Sequence, residues 1–185
     1  MRPELVILDR DGVINFDSPD YILHEDDWRP IPGSLAAIAR LKAVGVKVAI
    51  ASNQSALGRG MIDEQRFAAI HAKMMAAVAA AGGSIDHVAY CPHGPDHGCD
   101  CRKPRPGLVL ACLQAVGLQG AAHRACMIGD SVRDVGAARA AGVPAMLVRT
   151  GYGDAAHILR EAQRLQPDIR AYHDLAAAVD ALLEE

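Results

Sequence analysis

The first apolar run, Leu5-Val6-Ile7-Leu8, leads directly into Asp9-Arg10-Asp11-Gly12-Val13-Ile14-Asn15, so two carboxylates stand one residue apart where a buried strand runs out. In an open α/β sheet such a strand end opens into the ligand crevice. An acidic pair there can bind a hard cation such as Mg²⁺, which takes a few carboxylates together with water and substrate phosphate. Both side chains face one way only if the strand continues through Asp11, and Asp-x-Asp-Gly met alone is as often a turn or a cap. Three further polar groups follow later apolar runs or precede helical patterns. Ser52-Asn53-Gln54-Ser55 offers a hydroxyl and amides for a phosphate oxygen. Gly129-Asp130-Ser131, with Asp134 close behind, adds carboxylates beside a helix start. Arg102-Lys103-Pro104 supplies two cations that the proline is expected to hold in an extended segment. Singly these read as a polar loop, a helix cap and a surface basic pair. On parallel strands, however, Asp9, Asp11, Ser52 and Asp130 gather at one sheet edge, with Lys103 brought over them by its loop.

The elements that must position these residues are short apolar runs alternating with helical patterns. Strands are predicted over 5–9, 47–52, 87–90, 125–129 and 145–149, with a weaker one over 169–172. Pro32-Gly33-Ser34 opens a helix carrying Leu35, Ile38 and Leu41 on one face, and Gly45 closes it. Asp63-Glu64 opens a longer one in which Phe67, Ile70, His71, Met74 and Val78 recur at helical spacing, as core packing, until Gly82-Gly83. Further helices are predicted over 107–116, 132–141 and from 174 to the C-terminus. This alternation predicts an α/β, Rossmann-like three-layer sandwich with a central parallel sheet and helices on both faces.

Composition agrees with that architecture. Hydrophobic residues make up 51% of the 185, but aromatics only 4%, which suits alanine-rich helices on a sheet better than an all-β core. The length predicts one domain, 1–185. A net charge of −3 offers no electrostatic footprint for nucleic acid. No apolar stretch approaches the roughly 20 residues of a membrane span, and Met1-Arg2-Pro3-Glu4 lacks the architecture of a signal peptide. A cytoplasmic monomer with no membrane partner is therefore expected.

Three of the five cysteines crowd with a histidine into Cys91-Pro92-His93 and Cys99-Asp100-Cys101. Soft and borderline ligands this dense compose a closed structural Zn²⁺ site. His97 is the alternative to His93, which is preferred because Cys-x-His mirrors Cys-x-Cys across the loop. Cys112 and Cys126 fall in predicted helix and strand and read as core residues. Arg102 and Lys103 follow Cys101 directly, so a metal that fixes Cys101 fixes both cations, and zinc serves as an orienting support.

In the order and types of these motifs the chain resembles the haloacid dehalogenase superfamily of phosphohydrolases over nearly its whole length. The resemblance implies that Asp9 is a nucleophile and Asp11 a general acid/base. Ser52 then binds the transferring phosphoryl group, Lys103 is its cationic partner, and Asp130 holds Mg²⁺ beside Asp9 and the Asp11 carbonyl, with Asp134 in a supporting role. The segments Asn15 to Pro32 and Cys91 to Pro106 are too short for a cap domain, so an open site is expected.

The zinc loop resembles one subgroup, the heptose bisphosphate and histidinol-phosphate phosphatases. Ser55, Arg59-Gly60 and Pro106-Gly107 favour the heptose side. Ser52 stands where threonine is more usual, and Ser131 where a basic residue is common. The resemblance implies removal of the C7 phosphate of a heptose bisphosphate, a small phosphorylated sugar, leaving heptose 1-phosphate for ADP- or GDP-heptose and lipopolysaccharide core synthesis. Arg102 is the expected contact to a second anionic group, since its planar fork suits phosphate. Asn53, Gln54, Ser55, Asp17 and Tyr21 are the expected contacts to sugar hydroxyls. The alternatives are a histidinol-phosphate phosphatase and a non-catalytic, zinc-stapled binding module.

Overall fold

The computed structural model describes residues 2–184. In chain order the elements are β1 (Leu5–Leu8), α1 (Ser34–Ala43), β2 (Lys47–Asn53), α2 (Ser55–Gly58), α3 (Glu64–Ala80), β3 (His87–Cys91), α4 (Gly107–Ala115), β4 (Ala125–Gly129), α5 (Val132–Ala140), β5 (Ala145–Val148), α6 (Ala155–Leu165), β6 (Arg170–Tyr172) and α7 (Leu175–Glu184). All pairings between these strands are parallel and their order is β3-β2-β1-β4-β5-β6. The order reverses between β1 and β4, a topological switch point at whose carboxyl ends ligands bind in sheets of this kind.

Alternation along the strands divides the apolar residues between two cores. Val6, Leu8, Val48, Ile50, Ile128 and Val148 face α1, α3 and α7, whereas Leu5, Ile7, Ala49, Ala51, Met127 and Leu147 face α4, α5 and α6. Each large aliphatic side chain removed from water this way contributes about 1.5–3 kcal/mol. Small residues on the second face let α4 and α5 approach the sheet closely, which brings the loops before both helices over the β1 end. Cys112 and Cys126 are buried as expected, and Met74 lies in the core while His71 stays half-buried against Phe67. No helix among the described residues is long and apolar enough to cross a membrane.

Two expectations change. Helix α6 was not anticipated, although Asp154 caps it through bonds from Ala156 N and His157 N and Ile158, Leu159, Ala162 and Leu165 pack on one core. The short polar lead-in Gly151-Tyr152-Gly153 masked that signal. The Arg102-Lys103-Pro104 segment is a tight turn instead of an extended one, with Arg105 N donating to Arg102 O at 2.9 Å and a cis Lys103–Pro104 peptide. Asn53 secures it, accepting from Lys103 N at 3.0 Å and donating to Lys103 O at 3.1 Å.

Candidate active site

Strand β1 ends at Leu8, although Asp9 N still reaches Ile128 O at 3.1 Å. The chain then turns: Ile14 N and Asn15 N both donate to Arg10 O, and Gly12 takes φ +80°. Glycine is required at position 12 because a Cβ there would lie 2.7 Å from Asp130 Oδ2. The strand does not continue through Asp11, so the two carboxylates find different partners.

Asp9 turns toward the lysine. Its Oδ2 is 2.8 Å from Lys103 Nζ, and its Oδ1 accepts from Arg10 N at 2.7 Å. Lys103 Nζ also donates to Asp134 Oδ1 at 2.6 Å and to Ala51 O at 2.7 Å, so all three of its protons are used inside the protein. Its side chain is 1% exposed. Burial opposes the charge, but the Asp134 and Asp9 carboxylates hold the ammonium pKa above its ordinary value. Asp134 is held in turn by Ser131 N at 3.0 Å and Ser131 Oγ at 2.8 Å, the cap of α5.

Asp11 is anchored on the opposite side. Arg10 meets it with two nitrogens at 3.0 and 2.9 Å, and Asn15 Nδ2 and Gln54 Nε2 each donate to it at 2.8 Å. Burial would raise its pKa, but the Arg10 guanidinium and these donors hold it below the usual carboxylate range. Gln54 Nε2 also reaches Ser52 Oγ at 2.9 Å, tying the buried hydroxyl to Asp11.

Carboxylate oxygens of Asp9, Asp130 and Asp134 lie within 4.8 Å of one another. Burial pushes Asp130 up to about 9, with Asp134 and Asp9 adding repulsion, and burial lifts Asp9 to about 6 against the pull of Lys103. One lysine thus faces three closely spaced carboxyl groups. An oxygen-only set with surplus negative charge fits a hard dication, and since Asp134 is committed to Lys103 and Ser131, Asp9 and Asp130 are the carboxylates left to hold it.

A cavity of about 270 Å³ stands over these acids, and Asp9, Asp11, Asn53, Gln54, Ser55, Arg102, Lys103 and Asp130 all reach its wall. Asp17 and Tyr21 also line it, Tyr21 with φ +67°. Asn53 reaches the wall while both ends of its amide grip the Lys103 backbone. Arg10, Arg59 and Arg133 also line the cavity; the sequence marked Arg59 only as part of a family motif and gave Arg10 and Arg133 no role. Arg133 carried a signal, being a cation in the first turn of a helix, where the dipole disfavours it. Thr150, which donates to Gly12 O at 2.7 Å and so braces the turn, carried none.

The Cys/His loop closes as anticipated. Cys91 Sγ lies 3.2 Å from Cys101 Sγ and 3.6 Å from Cys99 Sγ, and His93 Nδ1 lies 3.3 Å from Cys101 Sγ. His97 is excluded from the group, since its Nδ1 accepts from Gly94 N at 3.0 Å. No cysteine is in a disulfide. Three thiols and an imidazole at these separations fit a tetrahedral soft-metal site. Arg102 Nη1 donates to His93 O at 2.9 Å, which couples the loop to the cavity wall.

What the sheet order and the lysine-bridged acids define is a haloacid dehalogenase-like hydrolase, and the chain belongs to that family. A family model described as HAD-hydrolase-like matches residues 100–178, the stretch that holds Lys103, Asp130 and Asp134. Over 184 residues, all of both chains, the sequence is 45% identical to the D-glycero-beta-D-manno-heptose-1,7-bisphosphate 7-phosphatase of Pseudomonas aeruginosa. The Pseudomonas putida protein of that name is also 45% identical, across 95% of this chain and 97% of its own. Among solved structures, the D,D-heptose 1,7-bisphosphate phosphatase of Bordetella bronchiseptica, complexed with magnesium and phosphate, superposes with a TM-score of 0.90 at 43% identity, covering 98% of each chain.

Proposed function

We propose that this chain, as a single domain without a cap, hydrolyses the C7 phosphate of D-glycero-β-D-manno-heptose 1,7-bisphosphate through a phosphoryl group carried on Asp9. The observation that carries the reading is Lys103, buried between Asp9 and Asp134 at the mouth of the β1 crevice. The names borne by relatives that match along the whole chain support the substrate.

An Asp9 oxygen attacks phosphorus, and the bond from phosphorus to the C7 oxygen breaks while Asp11 delivers a proton to that oxygen. Asp11, then ionised, takes a proton from water; the water oxygen bonds to phosphorus, and the bond to Asp9 breaks to release phosphate. Arg10 and Gln54 favour the ionised form of Asp11, so they suit the second step, and the incoming phosphate dianion favours the protonated form needed in the first. Lys103 lowers the repulsion between Asp9 and the substrate anion. Ser52 Oγ, aligned by Gln54, donates to a phosphoryl oxygen. Asp9, Asp130 and the Asp11 carbonyl would hold magnesium, which would supply further neutralisation of the phosphoryl oxygens. Cys91, His93, Cys99 and Cys101 would hold zinc, which would brace the loop that carries Arg102 and Lys103. The product, heptose 1-phosphate, is the form that nucleotide activation toward lipopolysaccharide requires.

The test compares kcat/KM for the heptose bisphosphate and for histidinol phosphate, with phosphorus NMR to identify the ester left behind. Arg102 meets a second phosphate but repels a cationic amine, so a preference of roughly one to two decades for the bisphosphate is expected, narrowed by Arg102→Ala. Equal efficiencies, or a product retaining the C7 phosphate, contradict the reading.

A further inference from the structure

Asn15 follows the buried Val13 and Ile14 and is itself wholly buried, at a place where an apolar side chain would avoid the cost of hiding an amide. Its backbone closes the turn after Asp9: Asn15 N donates to Arg10 O at 3.2 Å, and Asn15 O accepts from Gly12 N at 2.8 Å. Its side chain reaches in two directions. One Nδ2 proton goes to Asp11 Oδ1 at 2.8 Å and the other to Phe16 O at 2.9 Å. Phe16 begins the segment that carries Asp17 and Tyr21 to the cavity wall. That segment returns at Arg29 and Pro30, where Phe16 N donates to Arg29 O at 3.0 Å and Asn15 pairs with Pro30. Both of its ends therefore meet at Asn15. The amide cannot be turned over, since Oδ1 would then confront two acceptors, yet in its present setting Oδ1 is buried with no partner among the described residues. Leaving that oxygen unpaired keeps both Nδ2 bonds.

Among the described residues four donor atoms reach the Asp11 carboxylate. Arg10 supplies two of them from the adjoining position, and Gln54 supplies one that it shares with Ser52 on β2. Asn15 is the donor whose other bond holds the 16–30 segment. Resting on the reading of Asp11 as the general acid and base, we propose that Asn15 is a positioning residue: it holds the carboxyl that protonates the leaving oxygen in register with the segment that brings Asp17 and Tyr21 to the cavity. Displacing Asp11 alone leaves Asp9 and Lys103 on their own contacts, so each chemical step suffers only as far as it needs the acid or the base. A p-nitrophenolate departs without a proton, whereas a sugar oxygen needs one, and water attacking phosphorylated Asp9 needs a base with either substrate.

The experiment follows wild type, Asn15→Ala and Asn15→Asp on p-nitrophenyl phosphate, by rapid mixing and in the steady state, and on the heptose bisphosphate in the steady state. Asn15→Asp keeps the shape of the side chain while removing both donated protons, so it serves if Asn15→Ala does not fold. In either variant kcat should fall by about one to two decades on both substrates. The first turnover of p-nitrophenyl phosphate should stay within about threefold of wild type, so that close to one equivalent of p-nitrophenolate per chain appears as a burst. Amide hydrogen exchange over residues 16–22 should quicken. In an Asp11→Asn background, adding Asn15→Ala should change kcat by less than about twofold, because Asn15 acts through Asp11. A first turnover slowed as much as kcat, an unchanged kcat, unchanged exchange over 16–22, or a further decade lost in the Asp11→Asn background overturns the positioning role. Any of these in a chain whose wild type hydrolyses the bisphosphate and whose Asp11→Asn variant does not fails that role alone. Asp11→Asn with the kcat of wild type fails the acid and base reading beneath it.

Discussion

Lys103 Nζ lies 2.6 Å from Asp134 Oδ1, and both side chains are almost wholly removed from solvent. The lysine is thereby aimed at Asp9 by an acid that itself hangs from the Ser131 cap. Breaking a buried pair by removing one partner costs about 3–5 kcal/mol, because the other charge is left uncompensated. Asp134→Asn should therefore lower thermal stability and also reduce kcat by about two decades, as Lys103 loses its aim. Calorimetry and kinetics on one preparation check both. Normal kcat in a destabilised variant would make Asp134 merely structural.

Asn53 grips the Lys103 backbone through both ends of its amide, so Asn53→Ala removes two bonds from the turn that delivers the lysine. A loss of about 1–2 kcal/mol in stability is expected, with kcat falling at least tenfold and KM little changed. A rise in KM alone would instead return Asn53 to sugar binding.

The Cys/His cluster should copurify with about one zinc ion per chain, lost in Cys101→Ser. Elemental analysis measures it directly. Because His93 O receives the Arg102 guanidinium, metal loss should raise KM for the bisphosphate, and metal-free protein with normal kinetics would show the cluster to be incidental.

Asp86 Oδ2 accepts from Lys42 Nζ at 2.6 Å and from Val48 N at 2.7 Å, joining α1 to β2. Partial burial would raise its pKa, but the Lys42 contact and the Val48 N–H outweigh it and hold it below the ordinary value. A depressed folded-state pKa means that folding favours the ionised form. The stabilisation is whole above the unfolded carboxylate value and disappears as pH falls through the lower folded one. Asp86→Asn should cost about 1 kcal/mol near neutrality, discounted for exposure, and the gap from wild type should close in acid. Melting curves across that range test the sign.

Residues whose chemistry is local were legible from sequence. The strands could be read because each is a short apolar run, and the Cys/His cluster because its members are close in the chain. The segments that hold Asp9, Ser52 and Asp130 could be brought together because parallel strands deliver their ends to one edge. Less legible was what depends on contacts between distant segments. The turn at Lys103 is set by Asn53, fifty residues earlier in sequence. Whether Asp9 and Asp11 share partners depends on where β1 stops, and the turn that follows is packed against Asp130 and braced by Thr150 at Gly12. Arg133 faces the cavity only because α5 packs against the second face of the sheet. Helix α6 carries both a cap and an apolar stripe in its sequence, but the lead-in Gly151-Tyr152-Gly153 hides where it starts.

The central claim is that Asp9 carries the phosphoryl group between two displacements. Asp9→Asn, whose amide cannot attack phosphorus, should lower kcat by several orders of magnitude, but that loss alone does not count the displacements. The stereochemistry at phosphorus does. With a bisphosphate made isotopically chiral at the C7 phosphorus, transfer to an acceptor alcohol should proceed with net retention, because each in-line displacement inverts the centre once. Net inversion would mean that the acceptor attacks the substrate directly, and would contradict the covalent role of Asp9.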